Sequence, residues 1–199
     1  MEFNEEILFV DESSFHLWLS RTQGRARRGT RATRVVNGRR GPHFSIIIAV
    51  SNRRGLVHHT VHNGGTMQEL FNNFLEKTSV AAGDDVNLFY VMDNASCHRR
   101  AQEANIPGNH HVRFLPAYSP FLNIAENAFS TWKAAVKRQM AEVHQHLLEQ
   151  PHAEQLATLS QIAEQNVGEI SARRAMRWYR RTRRYIAPCI RLEEIHEAQ

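Results

Sequence analysis

Two short, almost wholly apolar runs each end on an aspartate. Ile7-Leu8-Phe9-Val10 is followed by Asp11, and Val86-Asn87-Leu88-Phe89-Tyr90-Val91-Met92 by Asp93. Runs this apolar read as central β-strands covered on both faces, so each acid is expected at the C-terminal end of a central strand. Between them the chain offers two further strands. Phe44–Val50 and Gly55–Val61 are rich in β-branched residues and are separated by the turn-like Ser51-Asn52-Arg53-Arg54-Gly55, a hairpin pattern. A helix follows: Thr66 and Glu69 have capping-box spacing, and Met67, Leu70, Phe71, Phe74 and Leu75 recur at the spacing of one buried helical face. After the second acid, His111–Pro116 is another strand, reached through a short polar or helical link. Ser119 is placed to cap the next helix with Pro120 in its first turn, and the pattern continues from Leu122 through Phe129, Trp132 and Val136 towards Leu148. Pro151 and Gly168 then punctuate two more helical segments. The order β-β-β-α-β-(α)-β-α predicts an α/β fold with a sheet between helices.

A chain of 199 residues with 42% hydrophobic content is long enough for one sizeable core. It carries no internal repeat and no low-complexity linker, so one domain with a helical tail is expected. The chain is basic, with 25 Lys plus Arg against 20 Asp plus Glu. The distribution says more than the total. Between Ser13 and Gln68 there is no acid, while ten arginines fall there, at 21, 25, 27, 28, 31, 34, 39, 40, 53 and 54. An exposed loop or two-stranded flap over 20–42 that contacts nucleic-acid phosphates fits this pattern, and a solvated charged loop is the plain alternative. Cys97 and Cys189 lack metal-ligand or disulfide-framework spacing, as expected in a reducing intracellular compartment. No apolar run approaches a membrane span, so no membrane partner is expected, and the acidic N-terminus does not resemble a signal peptide.

If the helical crossover leaves the strand before Asp93 parallel to the strand before Asp11, the strands lie about 4.8 Å apart and the carboxylates become neighbours. Like charges so close need a shared proton or a bound cation. Glu126, one to two turns into the later helix, is the third acid able to join them. Metal ions held about 3.5–4 Å apart by such carboxylates serve in-line attack on phosphodiesters. Taken singly, each residue has a plainer explanation: Asp11 and Asp93 as turn or cap residues, Glu126 as a solvated helix acid, His98 as a loop residue and Asn94 as a turn former.

The stretches Phe9-Val10-Asp11-Glu12-Ser13, Val91–His98 and Leu115–Asn127 followed by Trp132-Lys133 resemble the catalytic core of DDE transposases of the mariner-like superfamily, which includes related bacterial insertion-sequence enzymes. The resemblance covers about residues 7 to 140. It implies a ribonuclease H-like fold, a mixed central sheet flanked by helices, with residues 1–145 forming the catalytic domain and 146–199 a helical C-terminal extension packed on it. It also implies cleavage and joining of DNA strands with two divalent ions, Mg²⁺ or Mn²⁺. The family's three acids fall on Asp11, Asp93 and Glu126 as catalytic residues and metal ligands, with 32 residues between the second and third. Asn94, His98, Ser119 and Asn123 become residues that support these ligands or face DNA, and Arg25, Arg27, Arg28, Arg31, Arg34, Arg39 and Arg40 become DNA contacts. The implied partners are double-stranded DNA, as transposon ends and target, and a second copy of the chain in a homodimer on that DNA. The family commonly has Ser-Pro-Asp-Leu-Asn-Pro-Ile-Glu-Asn where this chain reads Ser119-Pro120-Phe121-Leu122-Asn123-Ile124-Ala125-Glu126-Asn127, keeping the glutamate in register. Family members carry an N-terminal helix-turn-helix region that reads transposon ends. Here the first catalytic strand begins at residue 7, so an excised or truncated catalytic domain without end specificity is expected. The expected location is the nucleus in a eukaryote and the cytoplasm in a bacterium. Two rival functions share these features: a DNA-binding protein that has lost catalysis, and a ribonuclease H-type nuclease acting on RNA–DNA hybrids.

Beyond residue 140 the resemblance thins. Arg173–Arg184 holds seven arginines with Trp178 and Tyr179 interleaved. This suits phosphate contact with aromatic support, an amphipathic helix with solvated arginines, or a nuclear import signal.

Overall fold

The structure, a computed structural model, describes residues 5–16, 26–31, 43–83 and 87–191. Its centre is a five-stranded mixed sheet of β1 (Glu5–His16), β2 (His43–Ser51), β3 (Gly55–Asn63), β4 (Asn87–Met92) and β5 (His111–Phe114), in the order β3-β2-β1-β4-β5. β1 to β3 form an antiparallel meander. α1 (Gln68–Ala82) carries the chain across the sheet, so that β4 lies parallel to β1 and β5 parallel to β4. The link between β4 and β5 contains a single 3₁₀ turn, Ala101–Glu103. Three α-helices follow β5 among the described residues: α2 (Ile124–Glu149), α3 (His152–Gln165) and α4 (Ala172–Ile190).

Side-chain alternation along the strands divides the core into two layers. Phe9, Phe15, Phe44, Ile46, Ile48 and Val50 face α2, α3 and α4, where they meet Phe129, Trp132, Val136, Leu159, Ile162 and Ala175. Leu8, Val10, Ile47, Ala49, Leu88, Tyr90 and Met92 face α1, against Phe71, Phe74 and Leu75. Trp132 is fully buried, edge-on to Phe15 and Phe44, and donates its indole N–H to the Ala163 carbonyl at 3.0 Å. That bond ties α2 to α3 within the layer that covers β1.

Three local expectations are corrected. β1 does not stop before Asp11: it runs on to His16 because β2 keeps pairing with it, through Asp11↔Ile48 to His16↔His43. Only its partnership with β4 ends early, at Phe9↔Val91. Thr66 does not cap α1. Its hydroxyl lies 3.2 Å from His62 Nε2, Met67 takes the N-cap position without a side-chain bond, and the Met67 side chain is 69% exposed rather than buried. Ser119 does not cap α2 either, since its hydroxyl donates to the Ala117 carbonyl. Pro120–Leu122 forms a separate 3₁₀ turn, and Asn123 caps α2 by accepting the Ala125 N–H at 3.0 Å.

Candidate active site

The parallel register of β1 and β4 dictates where the first two acids meet. Phe9 pairs with Val91, so two residues further along each chain Asp11 and Asp93 come side by side, just past the last rung. Alternation aims Asp11 towards α2, the face shared by Phe9 and Phe15, while Asp93 follows directly on the end of β4. Asp11 lies within a continuing strand and is 9% exposed, whereas the Asp93 side chain, at the exit of β4, is 55% exposed. One donor atom each from Asp11, Asp93 and His98 lie within 4.8 Å of one another.

Each carboxylate is held from a different element. Asp11 Oδ1 accepts the Glu12 N–H at 2.8 Å, and Oδ2 accepts Asn123 Nδ2 at 3.1 Å. The Asn123 amide therefore spends its oxygen on capping α2 and its nitrogen on Asp11, which locks the helix start to the strand. Asp93 Oδ1 accepts the Ala95 N–H at 3.0 Å in an Asx turn and lies 2.7 Å from His98 Nδ1. His98 is fully buried, its ring 4.2 Å from that of Phe71, and its Nε2 lies 2.6 Å from Glu12 Oε2. Glu12 also accepts the Cys97 thiol at 3.1 Å through Oε1.

The electrostatics follow from this packing. Burial raises Asp11 most, and the Glu12 charge adds to it. The Glu12 backbone N–H opposes, Glu126 and Asp93 push further upward, and the group reaches about 7. Burial alone would lower His98 and raise Glu12. The bond and charge between them outweigh it, with help from Asp93 on His98, so His98 is raised and Glu12 lowered, as in an ion pair. Burial and the Glu12 carboxylate push the Cys97 thiol up to about 12. Both ring nitrogens of His98 are already engaged, Nδ1 by Asp93 and Nε2 by Glu12. His98 is therefore a clamp on Asp93, which leaves carboxylate oxygens as the donors.

Glu126 lies in the first turn of α2 and is exposed, outside the 4.8 Å grouping, yet near enough that its charge acts on both Asp11 and Lys133. Burial lowers Lys133, which donates from Nζ to Ser13 Oγ at 2.5 Å on the same face as Asp11. The carboxylates of Asp11, Asp93 and Glu126 offer hard oxygen donors on one side of the sheet, and the buried Asp11 is destabilised as an anion until a cation offsets it. Both features suit a divalent ion that takes oxygen ligands.

The remaining sequence candidates are placed as follows. Asn94 Nδ2 donates to the Leu115 carbonyl at 2.7 Å and braces the exits of β4 and β5 rather than a carboxylate. Ser119 stays within its own turn. Arg27, Arg28 and Arg31 sit in an exposed turn closed by Thr30, whose N–H and hydroxyl both donate to the Arg27 carbonyl. Arg25, Arg34, Arg39 and Arg40 lie outside the described residues. Sequence reasoning missed Glu12, Cys97, Ser13 and Lys133. Tyr118 is 98% exposed with φ at 59°, a left-handed conformation uncommon for a non-glycine residue.

The family model described as DDE superfamily endonuclease matches residues 6–147. No curated protein matches the chain. Among solved structures, the mariner Mos1 paired-end complex with Mg is similar at a TM-score of 0.56 and 16% identity, covering 92% of this chain and 55% of that one. The Mos1 paired-end complex with Mn gives 0.52 at 15% identity, covering 80% and 53%. The Mos1 strand transfer complex gives 0.51 at 17% identity, covering 82% and 53%. The chain thus spans little more than half the length of these structures, and it shares their ribonuclease H-like fold, with helices on both faces of the mixed sheet.

Proposed function

This chain belongs to the DDE superfamily endonuclease family, and we propose that it is the catalytic domain of a transposase that cleaves DNA phosphodiester bonds and transfers the strands. The observation that carries this is the convergence of Asp11 and Asp93 at the end of the β1–β4 pairing, with the charge of Glu126, in the first turn of α2, acting on Asp11. Three carboxylates supplied by two strands and a helix are what a two-ion phosphodiester site needs.

In this proposal Asp11, Asp93 and Glu126 would hold two Mg²⁺ or Mn²⁺ ions, which would supply Lewis acidity for phosphodiester cleavage and strand transfer. The chain's own residues set the geometry. Asn123 fixes the Asp11 rotamer while each carboxylate oxygen keeps a second lone pair. Glu12 orients His98, and His98 orients Asp93. Lys133 places positive charge within range of Glu126 and Asp11 and moderates the repulsion among the acids. Arg25, Arg27, Arg28, Arg31, Arg34, Arg39 and Arg40 contact DNA phosphates, and the protein works as a homodimer on duplex DNA, in the nucleus of a eukaryote or the cytoplasm of a bacterium.

Incubating the purified protein with supercoiled plasmid and with an RNA–DNA hybrid, in Mg²⁺ or in EDTA, tests this proposal. Nicked plasmid in Mg²⁺, none in EDTA and no preference for the hybrid are expected. Cleavage confined to the RNA strand of the hybrid would make the protein a ribonuclease H-type nuclease. Plasmid binding without cleavage in Mg²⁺ or Mn²⁺ would make it a DNA-binding protein that has lost catalysis.

A further inference from the structure

α4 carries a charge pattern that the three-carboxylate site leaves unused. All seven of its arginines from Arg173 to Arg184 are exposed, and no acid occurs between Glu169 and Glu193. Arg174 is paired with Glu169. Among the described residues, no ion pair engages Arg173, Arg177, Arg180, Arg181, Arg183 or Arg184.

Helical geometry sorts these residues sharply. Ala175 and Thr182, seven residues apart, are 0% and 4% exposed and mark the line that packs on the body of the protein. Arg173, Arg177, Arg180 and Arg184, stepping by four, three and four, fall on the opposite line. At 1.5 Å per residue this row is roughly 16 Å long with a charge about every 5 Å. A row of that length matches a polymer of regularly spaced negative charges better than any single anion.

The aromatic residues of α4 decide which polymer. Trp178 and Tyr179 pack against the core layer under α2, with the Tyr179 ring 6.1 Å from that of Phe9, and Tyr185 stands edge-on to Phe121 at 5.6 Å. Those rings are turned inward, so they do not support the phosphate row as stacking platforms, the device by which single strands are gripped. The buried face of α4 is likewise committed to the protein, and the apolar residues it leaves exposed, Met176, Ile186 and Ile190, lie off the arginine row.

We propose that Arg173, Arg177, Arg180 and Arg184 form a track for the sugar–phosphate backbone of double-stranded DNA, read without regard to sequence. This rests on the strand-cleaving function proposed above and assigns part of its substrate grip to α4. The helix is also fastened to the site. Thr182 Oγ1 donates to the Phe121 carbonyl at 3.4 Å, and Phe121 belongs to the turn that leads into Asn123, the residue that holds Asp11. A duplex lying on the track is therefore held at a fixed offset from the carboxylates.

Fluorescence anisotropy on a blunt duplex of arbitrary sequence, titrated across salt concentrations, tests the track. Replacing all four arginines with glutamine, a comparably good helix former, is expected to flatten the slope of log K against log salt by about 3 to 4, since each neutralised phosphate contributes about −0.9. The four-lysine variant keeps the wild-type slope. Thermal unfolding monitors the fold, and if the fourfold glutamine variant is damaged, Arg177→Gln with Arg180→Gln gives a change of about 2 on the same scale. An unchanged slope in the glutamine variants, or tighter wild-type binding to a single strand or to anionic vesicles than to the duplex, overturns the proposal. Mg²⁺-dependent plasmid nicking by the same wild-type preparation separates the two claims. Nicking with an unchanged slope removes only the track, and a flattened slope without nicking removes only the catalytic function.

Discussion

Asp11 holds its proton to about pH 7 because it is buried beside Glu12, and Glu126 and Asp93 add their charge. In the unfolded chain the group titrates near 3.8. Between these values the metal-free native state binds more protons than the unfolded one, so this group lowers stability as pH rises through the window, and the loss is complete above about 7. Asp11→Asn should therefore remove a pH-dependent decline: urea midpoints measured in EDTA from about pH 4 to about pH 8 should fall less in the variant than in wild type. Glu126→Gln keeps size and helix propensity and relieves repulsion on Asp11, so thermal stability should hold or rise slightly. Plasmid nicking should drop by about 10²–10³ or more, the usual cost of losing electrostatic stabilisation at a reacting centre. Wild-type nicking at equal Mg²⁺ would make Glu126 an ordinary helix acid. Glu12→Gln cuts the clamp from the far side of the sheet. It should weaken Mn²⁺ binding, read by calorimetry, by about 10–100-fold with the fold intact. Unchanged affinity would show that Asp93 needs no support from His98. Asp11 and Asp93 are legible in the sequence because apolar runs flag central strands. Glu12 is not, because alternation sends it to the opposite face from Asp11, and its partner His98 is 86 residues away and reaches it around the end of β4.

At the scale of elements, the sequence carried order and type more faithfully than boundaries. Apolar runs located the five strands of the described residues, apolar periods located α1 and α2, and the punctuating Pro151 and Gly168 marked the last two helical segments. What they could not carry was the behaviour of β1, whose polar half, Glu12 to Ser14, stays in the sheet because β2 pairs with it after β4 has left. Helix starts were misread for a similar reason. The hydroxyls of Thr66 and Ser119 have nearer partners than the helix N–H groups, and Asn123 took the second cap while also reaching Asp11. The seating of α4 depends on Gly55. Its φ is +82°, the Leu56 N–H donates to the Ile170 carbonyl, and an added Cβ would lie 2.5 Å from the Ala172 nitrogen and 2.7 Å from the Ser171 carbonyl carbon. Gly55→Ala combines backbone strain of about 1–3 kcal/mol with a clash against backbone, so a total cost of roughly 2–4 kcal/mol is expected in chemical denaturation. Wild-type stability in that variant would show that α4 is not seated through this contact.

Across the whole molecule, the sheet divides the work. α1 fills one face, while α2, α3 and α4 cover the other, tie Asn123 to Asp11, carry Glu126 in the first turn of α2 and present the arginine row outward. The fold was legible through the sequence of apolar runs and the family resemblance, and the meeting of Asp11 and Asp93 because they lie at matched distances along parallel neighbours. The arrangement of the α4 arginines was only half legible. Composition showed their number, but which face they take is settled by Ala175 and Thr182 packing inward. Asp11, Asp93 and Glu126 are expected to form the metal site together, and anomalous diffraction from crystals grown with Mn²⁺ tests this. Manganese peaks coordinated by oxygen atoms of all three carboxylates, lost in Asp93→Asn, are the predicted result. Ordered Mn²⁺ bound instead by Glu12, Cys97 and His98, or no ordered Mn²⁺ at the three acids, would contradict it.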